Sequence, residues 1–202
     1  MYTRPSSLRD YNLFFFDSET GGLSPLEADM VEVAAVLTDP TGTKILDEFS
    51  AKVFPKKPVN EKAAAVNGYT AEKWAIEAVE LDGPMIKMLS MARNAIFTAH
   101  NAAFDWGFFE TAMKQRFQKW PSDYHRYDTV ALSVPLLRHG IVPNLRLETL
   151  AKHFGIKHEN AHTALADVHA CRELFVKVME IYDGAVEQYA RSQAPSSVIP
   201  FG

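Results

Sequence analysis

Cysteine is nearly absent from the sequence, and its scarcity limits how the fold can be held together. Cys171 is the single cysteine among 202 residues, so the chain cannot form an intramolecular disulfide. No apolar run reaches the length of a transmembrane helix, and we find no secretory signal at the start of the sequence. Because structural disulfides are rare in the reducing cytosol, we expect a cytoplasmic protein with no membrane partner.

Positive charge is also scarce. The sequence has 21 Lys and Arg against 25 Asp and Glu, which gives a formal net charge of −4 and a pI of about 6.0. This balance argues against a protein that coats DNA without specificity, since such binding depends on many Lys and Arg contacts with phosphates. It does not exclude a nucleic-acid enzyme, because bound divalent metals reverse the sign of a carboxylate site. The first predicted strand is not followed by GxGxxG, which argues against a dinucleotide-binding enzyme.

The length and an ordinary hydrophobic content of 47% are typical of one globular domain. We expect this domain to span residues 1–190 and a Ser- and Pro-rich, mobile tail to follow at residues 191–202. Strands predicted at residues 11–17, 30–38 and 44–53 are joined by short turns and form an antiparallel meander. Short strands and helices alternate after them, with a helix break predicted at Gly83-Pro84. The pattern predicts an α/β fold with a mixed sheet flanked by helices.

Two carboxylates stand at the end of the first predicted strand. Asp17 and Glu19 follow an aromatic and apolar run, and strand side chains alternate faces with a period of two. Both carboxylates should therefore point the same way, where they form an oxygen-rich site suited to Mg²⁺ or Mn²⁺. The Gly21-Gly22 turn lets the backbone approach a ligand closely. The alternative is an acidic pair that faces water and caps a turn.

Two further acidic positions lie near predicted helix starts. Asp105 falls in the first turn of a predicted helix at residues 104–120, just after His100-Asn101 at a strand end. Asp167 falls early in a predicted closing helix at residues 163–189, five residues after His162. Because positions five apart differ by about 140° on a helix, both side chains face one site only if His162 precedes the helix and Thr163 caps it. Taken alone, Asp105 is better explained as an ordinary helix-start acid, and Asp167 as a solvated helix acid with His162 as a loop residue.

Together these segments resemble the three motifs of the DnaQ-like, RNase H-like 3′–5′ exonucleases. The first is Asp17-Ser18-Glu19-Thr20-Gly21-Gly22-Leu23, the second His100-Asn101-Ala102-Ala103-Phe104-Asp105, and the third His162 with Asp167 in the His-x₄-Asp form of the DEDDh branch. Weaker matches are Asn67-Gly68-Tyr69-Thr70 and Tyr127-Asp128-Thr129. The resemblance implies an RNase H-like mixed sheet.

The resemblance also implies a mechanism and a set of site residues. Asp17, Glu19, Asp105 and Asp167 would hold two divalent ions, Mg²⁺ or Mn²⁺, and His162 would take a proton from the attacking water. The backbone from Ser18 to Leu23 would hold the terminal nucleotide. In that segment Thr20 would contact the free 3′-hydroxyl, and Leu23 would wedge against the last bases. Gly21 and Gly22 would let the backbone approach the nucleotide closely. His100 and Asn101 would line the side of the scissile phosphate.

Several functions fit this resemblance. The leading one is metal-dependent 3′–5′ cleavage of single-stranded ends, with DNA favoured over RNA. A trimming exoribonuclease of the same superfamily is one alternative. A second is the proofreading subunit of a DNA polymerase, which would bind the polymerase or its sliding clamp through residues 144–150 and 193–201. Six scattered basic residues could meet backbone phosphates or simply be solvated; they are Lys114, Arg116, Lys119, Arg126, Arg138 and Arg146.

Overall fold

The computed structural model describes residue 5, residues 7–116 and residues 118–193. A short 3₁₀ helix at Leu8–Asp10 precedes the first strand. The strands are β1 (Asn12–Thr20), β2 (Met30–Thr38), β3 (Ile45–Lys52), β4 (Ala95–Ala99) and β5 (Arg126–Asp128). The α-helices are α1 (Glu61–Asn67), α2 (Ala71–Glu77), α3 (Asp82–Met91), α4 (Ala102–Gln115), α5 (Thr129–Arg138), α6 (Leu147–Phe154) and α7 (Ala164–Gln193). Among these helices none is both long and apolar enough to cross a membrane.

The five strands form one mixed sheet in the order β3-β2-β1-β4-β5. The pairs β1–β2 and β2–β3 are antiparallel, which confirms the predicted meander. The pairs β1–β4 and β4–β5 are parallel, and helices connect them across the sheet. The predicted fold class is therefore confirmed. β1 lies at the centre of the sheet, and its end extends past β4, which pairs only as far as Phe15, while β2 accompanies it to Thr20.

The two faces of β1 pack against different helices. Phe14 and Phe16 pack with Phe97 of β4 and Phe109 of α4 on one face. Phe15 contacts Phe175 of α7 on the opposite face, at 5.6 Å between ring centroids. Because side chains alternate along a strand, Ser18 continues the α4 face, while Asp17 and Glu19 continue the α7 face. The end of β1 is thus the place where α4 and α7 converge.

The predicted helix break at Gly83-Pro84 is wrong. Both residues lie in the first turn of α3, which begins at Asp82. The first turn of a helix has backbone N–H groups without intrahelical partners, so a proline there forfeits no hydrogen bond. Pro84 is buried in this position and helps to start the helix rather than ending it.

The predicted bounds of several other elements are also corrected. The helix predicted at residues 104–120 begins at Ala102 and ends at Gln115. β1 continues three residues beyond its predicted end at Asp17, since β2 pairs with it as far as Thr20. Helix α7 runs to Gln193, so the predicted start of the tail at residue 191 falls inside a helix. Residues 194–202 lie outside the described part of the chain.

Candidate active site

Asp17 and Glu19 lie near the C-terminal end of β1, on the face covered by α7. Glu32 stands opposite Glu19 on the antiparallel strand β2. Burial raises the pKa of Glu32, while Lys52 and the backbone N–H of Ala164, the first residue of α7, oppose the rise. The start of α7 therefore lies close to the Glu32 carboxylate, beside the end of β1.

Asp105 reaches the same strand end from the opposite layer. It is 3% exposed in the first turn of α4. Its Oδ1 accepts hydrogen bonds from the backbone N–H of Ser18 at 3.1 Å and from the Ser18 hydroxyl at 2.8 Å. Ser18, which the motif places among the nucleotide-binding residues, therefore uses both donors to hold Asp105 against β1.

The start of α7 supplies the third group. His162 lies before the helix with φ of 68°, and the Thr163 hydroxyl accepts from the backbone N–H of Ala166 at 3.4 Å. This is the arrangement that the His-x₄-Asp spacing requires. Ligand atoms of Glu19, His162 and Asp167 lie within 4.8 Å of one another. The predicted grouping of a β1 carboxylate with both third-motif residues is present in the structure.

Burial and mutual repulsion raise the pKa of the strand-end carboxyl groups. Burial, and then the charges of Asp105 and Asp167, raise the pKa of Asp17 well above its usual range. Burial, and then the charges of Asp167 and Glu32, raise the pKa of Glu19 to about 8. Burial raises the pKa of Asp105 to about 7 although the hydrogen bonds from Ser18 oppose the rise. The described part of the protein therefore leaves the ionised forms of these three carboxyl groups poorly stabilised.

A divalent cation suits this donor set. Four carboxylates from β1, α4 and α7 converge, and hard oxygen ligands are those that Mg²⁺ and Mn²⁺ prefer. A cation would also relieve the repulsion that raises the pKa values of Asp17, Glu19 and Asp105. Asp17, Glu19, Asp105 and Asp167 could hold such ions.

A cavity of about 800 Å³ opens beside the carboxylates, between the end of β1 and α1. Residues from both elements line it, with Phe104 at one side; they are Ser18, Glu19, Thr20, Gly22, Leu23, Val59, Asn60, Glu61, Lys62, Ala63, Val66, Asn67 and Phe104. Leu23 is 88% exposed and projects at its rim. The Thr20 hydroxyl donates to the Gly22 carbonyl at 2.7 Å, so toward a ligand it can only accept.

Gly21 and Gly22 bring the backbone after β1 close to the segment before α1. The Gly21 carbonyl accepts from the N–H of Asn60, just before α1. A Cβ on Gly22 would stand 3.0 Å from Nδ2 of Asn60 and 3.1 Å from the Ala28 side chain. Glycine at these positions therefore lets α1 approach the end of β1 closely, which shapes the cavity.

His100 and Asn101 lie on the other side of the carboxylates. The Nε2–H of His100 donates to the Leu145 carbonyl at 3.0 Å, and its Nδ1 accepts from the Thr129 hydroxyl at 2.8 Å. Since both ring nitrogens are engaged, His100 ties the segment before α6 to the end of β4. Asn101 has a left-handed backbone and is exposed beside a second cavity that also reaches His162, Asp167 and Arg146.

Glu32, His158 and Lys62 belong to the site but escaped the sequence prediction. Glu32 could have been found from sequence, because it is a carboxylate inside the apolar run Met30-Val31-Glu32-Val33. His158 donates from Nε2 to Asp167 Oδ1 at 2.6 Å. Its signal was a second histidine four positions before His162. Lys62 lines the cavity beside β1, and the sequence gives no signal for it.

This combination of a mixed sheet and a carboxylate cluster at the end of its central strand defines a nuclease of the RNase H-like class. The RNase T family model, described as "Exonuclease", matches residues 14–175, and the chain belongs to this family. Both the predicted superfamily and its fold are thereby confirmed.

The relatives found by sequence are much longer proteins. The chain is 32% identical over 170 residues to the "DNA polymerase III PolC-type" of Caldanaerobacter subterraneus subsp. tengcongensis, covering 82% of this chain and 11% of that protein. It is 30% identical over 177 residues to the Staphylococcus aureus protein of the same name, covering 86% of this chain and 12% of that protein. The chain thus spans about an eighth of the polymerases it matches.

Solved structures of exonuclease I have the same fold. The E. coli enzyme in complex with a dT13 oligonucleotide gives a TM-score of 0.75 at 23% identity, covering 86% of this chain and 43% of that one. A product-bound exonuclease I gives 0.74 at 21% identity, covering 91% and 46%. At this level of identity the similarity establishes the shared fold of the two proteins.

Proposed function

We propose that this protein is a metal-dependent 3′–5′ exonuclease that removes nucleoside 5′-monophosphates from single-stranded ends, with DNA favoured. The observation that carries the proposal is the convergence of Asp17, Glu19, Asp105 and Asp167 beside His162 at the end of β1. Membership of an exonuclease family supports the reaction class. The carboxylates would hold two Mg²⁺ or Mn²⁺ ions, which supply the charge that activates water and stabilises the leaving oxygen.

The protein's own side chains would transfer a proton and hold the carboxylates in place during hydrolysis. A water oxygen forms a bond to the terminal phosphorus while the bond from phosphorus to the 3′-oxygen of the preceding nucleotide breaks. The 3′-oxygen keeps the electron pair of that bond and takes up a proton from solvent. His162 takes the proton of the attacking water, since its imidazole faces Glu19 and Asp167 and stands outside the helix. Ser18 holds Asp105 in place throughout.

The cavity between β1 and α1 would bind the terminal nucleotide. Its position directly beside Glu19 places a bound nucleotide next to the carboxylates. Leu23 at the rim would contact the last bases, and the Thr20 oxygen would accept a hydrogen bond from the 3′-hydroxyl. A pocket of this kind accepts a chain end, which is the basis for proposing exonucleolytic cleavage with 3′–5′ polarity.

The substrate experiment offers labelled single-stranded DNA, single-stranded RNA and mismatched duplex side by side with Mg²⁺ or Mn²⁺. We expect a ladder of products shortened from the 3′ end, no activity in EDTA, and resistance of circles and of 3′-phosphorylated strands. Hydrolysis that persists in chelator, with metal shown to be absent, would refute the metal mechanism. Efficient cutting of circles would refute the pocket assignment, and faster cleavage of RNA would favour the trimming exoribonuclease.

A proofreading role is the second candidate, because the relatives found by sequence are DNA polymerases. Residues 144–150, predicted as a polymerase-binding segment, include Leu145, which binds His100, and the start of α6. Of the second predicted segment, only Gln193 is described. Co-purification with the polymerase and its sliding clamp tests this role; a chain that elutes alone and retains full exonuclease activity would contradict it.

A further inference from the structure

A second histidine contacts the carboxylate that α7 contributes to the site. His158 lies in the segment between α6 and α7, and its Nε2 stands 2.6 Å from Asp167 Oδ1. The His158 side chain is 9% exposed and that of Asp167 is 15% exposed. The contact is therefore short and largely shielded from solvent, unlike a solvent-exposed ion pair that contributes little.

The hydrogen-bond inventory fixes which ring nitrogen carries hydrogen. A carboxylate oxygen accepts, so Nε2 of His158 must be the donor. Nδ1 of His158 is buried and has no hydrogen-bond partner among the described residues. A hydrogen on Nδ1 would bury an unsatisfied donor, which is costly. The ring therefore presents one N–H to one oxygen of Asp167.

This donor and a second one act on the same oxygen. The backbone N–H of His162 points at Asp167 Oδ1 from 3.4 Å. No hydrogen bond from the described residues reaches Oδ2 of Asp167. The carboxylate is thus held at one oxygen and left available at the other, and it lies within 4.8 Å of ligand atoms of Glu19 and His162.

We infer that His158 is a positioning residue that orients the Asp167 carboxylate toward a divalent cation. Hydrogen bonds that orient ligating carboxylates commonly set metal affinity, and their loss typically costs about 10–100-fold in affinity or activity. His158 has a different role from His162, which is the proposed proton acceptor. The inference rests on the proposed function insofar as Asp167 is taken as a cation ligand.

Two substitutions separate orientation from packing. His158→Phe fills the same space without the N–H, whereas His158→Gln keeps an N–H donor near the position of Nε2. His139→Gln is the matched control, since His139 is exposed at the end of α5. Mn²⁺ binding is measured by calorimetry without substrate, cleavage rate is measured against Mn²⁺ concentration, and thermal melting in EDTA shows that each variant is folded.

We expect His158→Phe to weaken Mn²⁺ binding about 10–100-fold and to shift the activating Mn²⁺ concentration upward by a similar factor. His158→Gln should bind Mn²⁺ nearly as the wild type does, and His139→Gln should be unchanged. The rate at saturating Mn²⁺ should fall less than the affinity, because the cation itself orients Asp167 once it is bound.

Unchanged Mn²⁺ affinity in folded His158→Phe would overturn the inference. Tighter binding would overturn it too, since the imidazole would then compete with the cation for Asp167. Where His158→Phe does not fold, a folded His158→Gln that binds Mn²⁺ weakly also overturns it. If the wild type binds Mn²⁺ in this His158-dependent way but cleaves no nucleic acid, the inference holds while the proposed function fails.

Discussion

At the scale of single residues, the cost of burying like charges determines the character of the site. Three carboxyl groups at the end of β1 and the start of α4 have raised pKa values, chiefly through burial. In the folded state they retain protons that the unfolded chain has already released. The same carboxyl groups dispersed on the surface would not destabilise the fold. Their burial side by side therefore indicates a site for a ligand of opposite charge.

The raised pKa values predict that the metal-free protein loses stability as pH rises. Glu19 has an ordinary pKa of 4.5 and a folded pKa of about 8, so its stabilising contribution is complete below about 4.5 and is lost as pH approaches 8. In this range the native state binds more protons than the unfolded state, and the free energy of unfolding falls with pH. Urea unfolding in EDTA from pH 5 to 9 measures the effect.

Two comparisons give this prediction its control. Glu19→Gln should flatten the fall and Mn²⁺ should reverse it, whereas Glu187→Gln, at an exposed position late in α7, should leave the wild-type profile intact. A Glu19→Gln profile identical to that of the wild type would contradict the predicted pKa of Glu19.

His162 and Asp167 should have separable roles. Asp167→Asn removes a proposed cation ligand, so Mn²⁺ affinity and activity should fall together. His162→Ala removes the proposed proton acceptor, so the rate should fall about 10²–10⁴-fold while Mn²⁺ binding persists. Calorimetric Mn²⁺ titration and the rate measured against pH distinguish them. A large loss of Mn²⁺ affinity in His162→Ala would instead make His162 a ligand, which its distance from Glu19 and Asp167 also permits.

The site residues that were predicted from sequence are positioned by regular strands and helices, whereas those that were missed are positioned by an irregular turn or by long-range contacts. Asp17 and Glu19 follow from strand alternation, and His162 with Asp167 follows from helix geometry and a capping threonine. His158 sits in neither a strand nor a helix. Its contact with Asp167 depends on a turn with left-handed backbone at Asn160 and His162, which local patterns do not specify. The double hydrogen bond from Ser18 to Asp105 spans 87 positions and has no local signal.

At the scale of elements, the short helix α1 is held mainly by polar contacts. It has seven residues and buries none of them. Asn60 caps its start by accepting from the Ala63 N–H, and the Asn67 side chain donates to the Thr20 carbonyl at 3.1 Å. One wall of the cavity beside β1 is therefore attached to the strand by a few hydrogen bonds, while Asp17 and Glu19 stand on a tightly packed strand.

This asymmetry predicts that Asn67→Ala weakens substrate binding and spares metal binding. A lost hydrogen bond of this kind costs about 0.5–1.5 kcal/mol, so KM for a single-stranded oligonucleotide should rise up to about tenfold. Steady-state kinetics and Mn²⁺ titration of the same variant test this. Unchanged KM would show that α1 stays in place without the Asn67 contact, and a matching loss of Mn²⁺ affinity would show that α1 supports the carboxylates as well.

Element bounds were predictable where the sequence carries a local stop signal. β2 matches its predicted range of residues 30–38, and Thr70 caps α2 by accepting from the Lys73 N–H. Gly83-Pro84 was misinterpreted because the same dipeptide can end one helix or open the next, and only tertiary packing decides between them. The end of α4 at Gln115 was missed because an apolar and basic sequence continues past it.

At the scale of the whole molecule, few of the basic residues considered from sequence line the cavities that flank the carboxylates. Of the six basic residues considered from sequence, Lys114 pairs with Glu110, Arg116 pairs with Asp82, and Arg126 lies over the Trp106 ring. Arg146 lines the cavity on the α7 side, and Lys62 lines the one beside β1. With a net charge of −4, the protein has few cations to offer a bound strand.

We therefore expect single-stranded DNA binding to depend only weakly on salt. Each neutralised phosphate contributes about −0.7 to the slope of log affinity against log salt concentration, so Lys62 and Arg146 together give about −1.4. The measurement is fluorescence anisotropy of a 3′-ended strand with Mn²⁺, using His162→Ala so that cleavage is slow. Adding Lys62→Ala or Arg146→Ala should make the slope shallower by about 0.7. Arg191→Ala, near the far end of α7, should not change it. A slope steeper than about −3 would mean a longer strand-binding surface than these two cations provide.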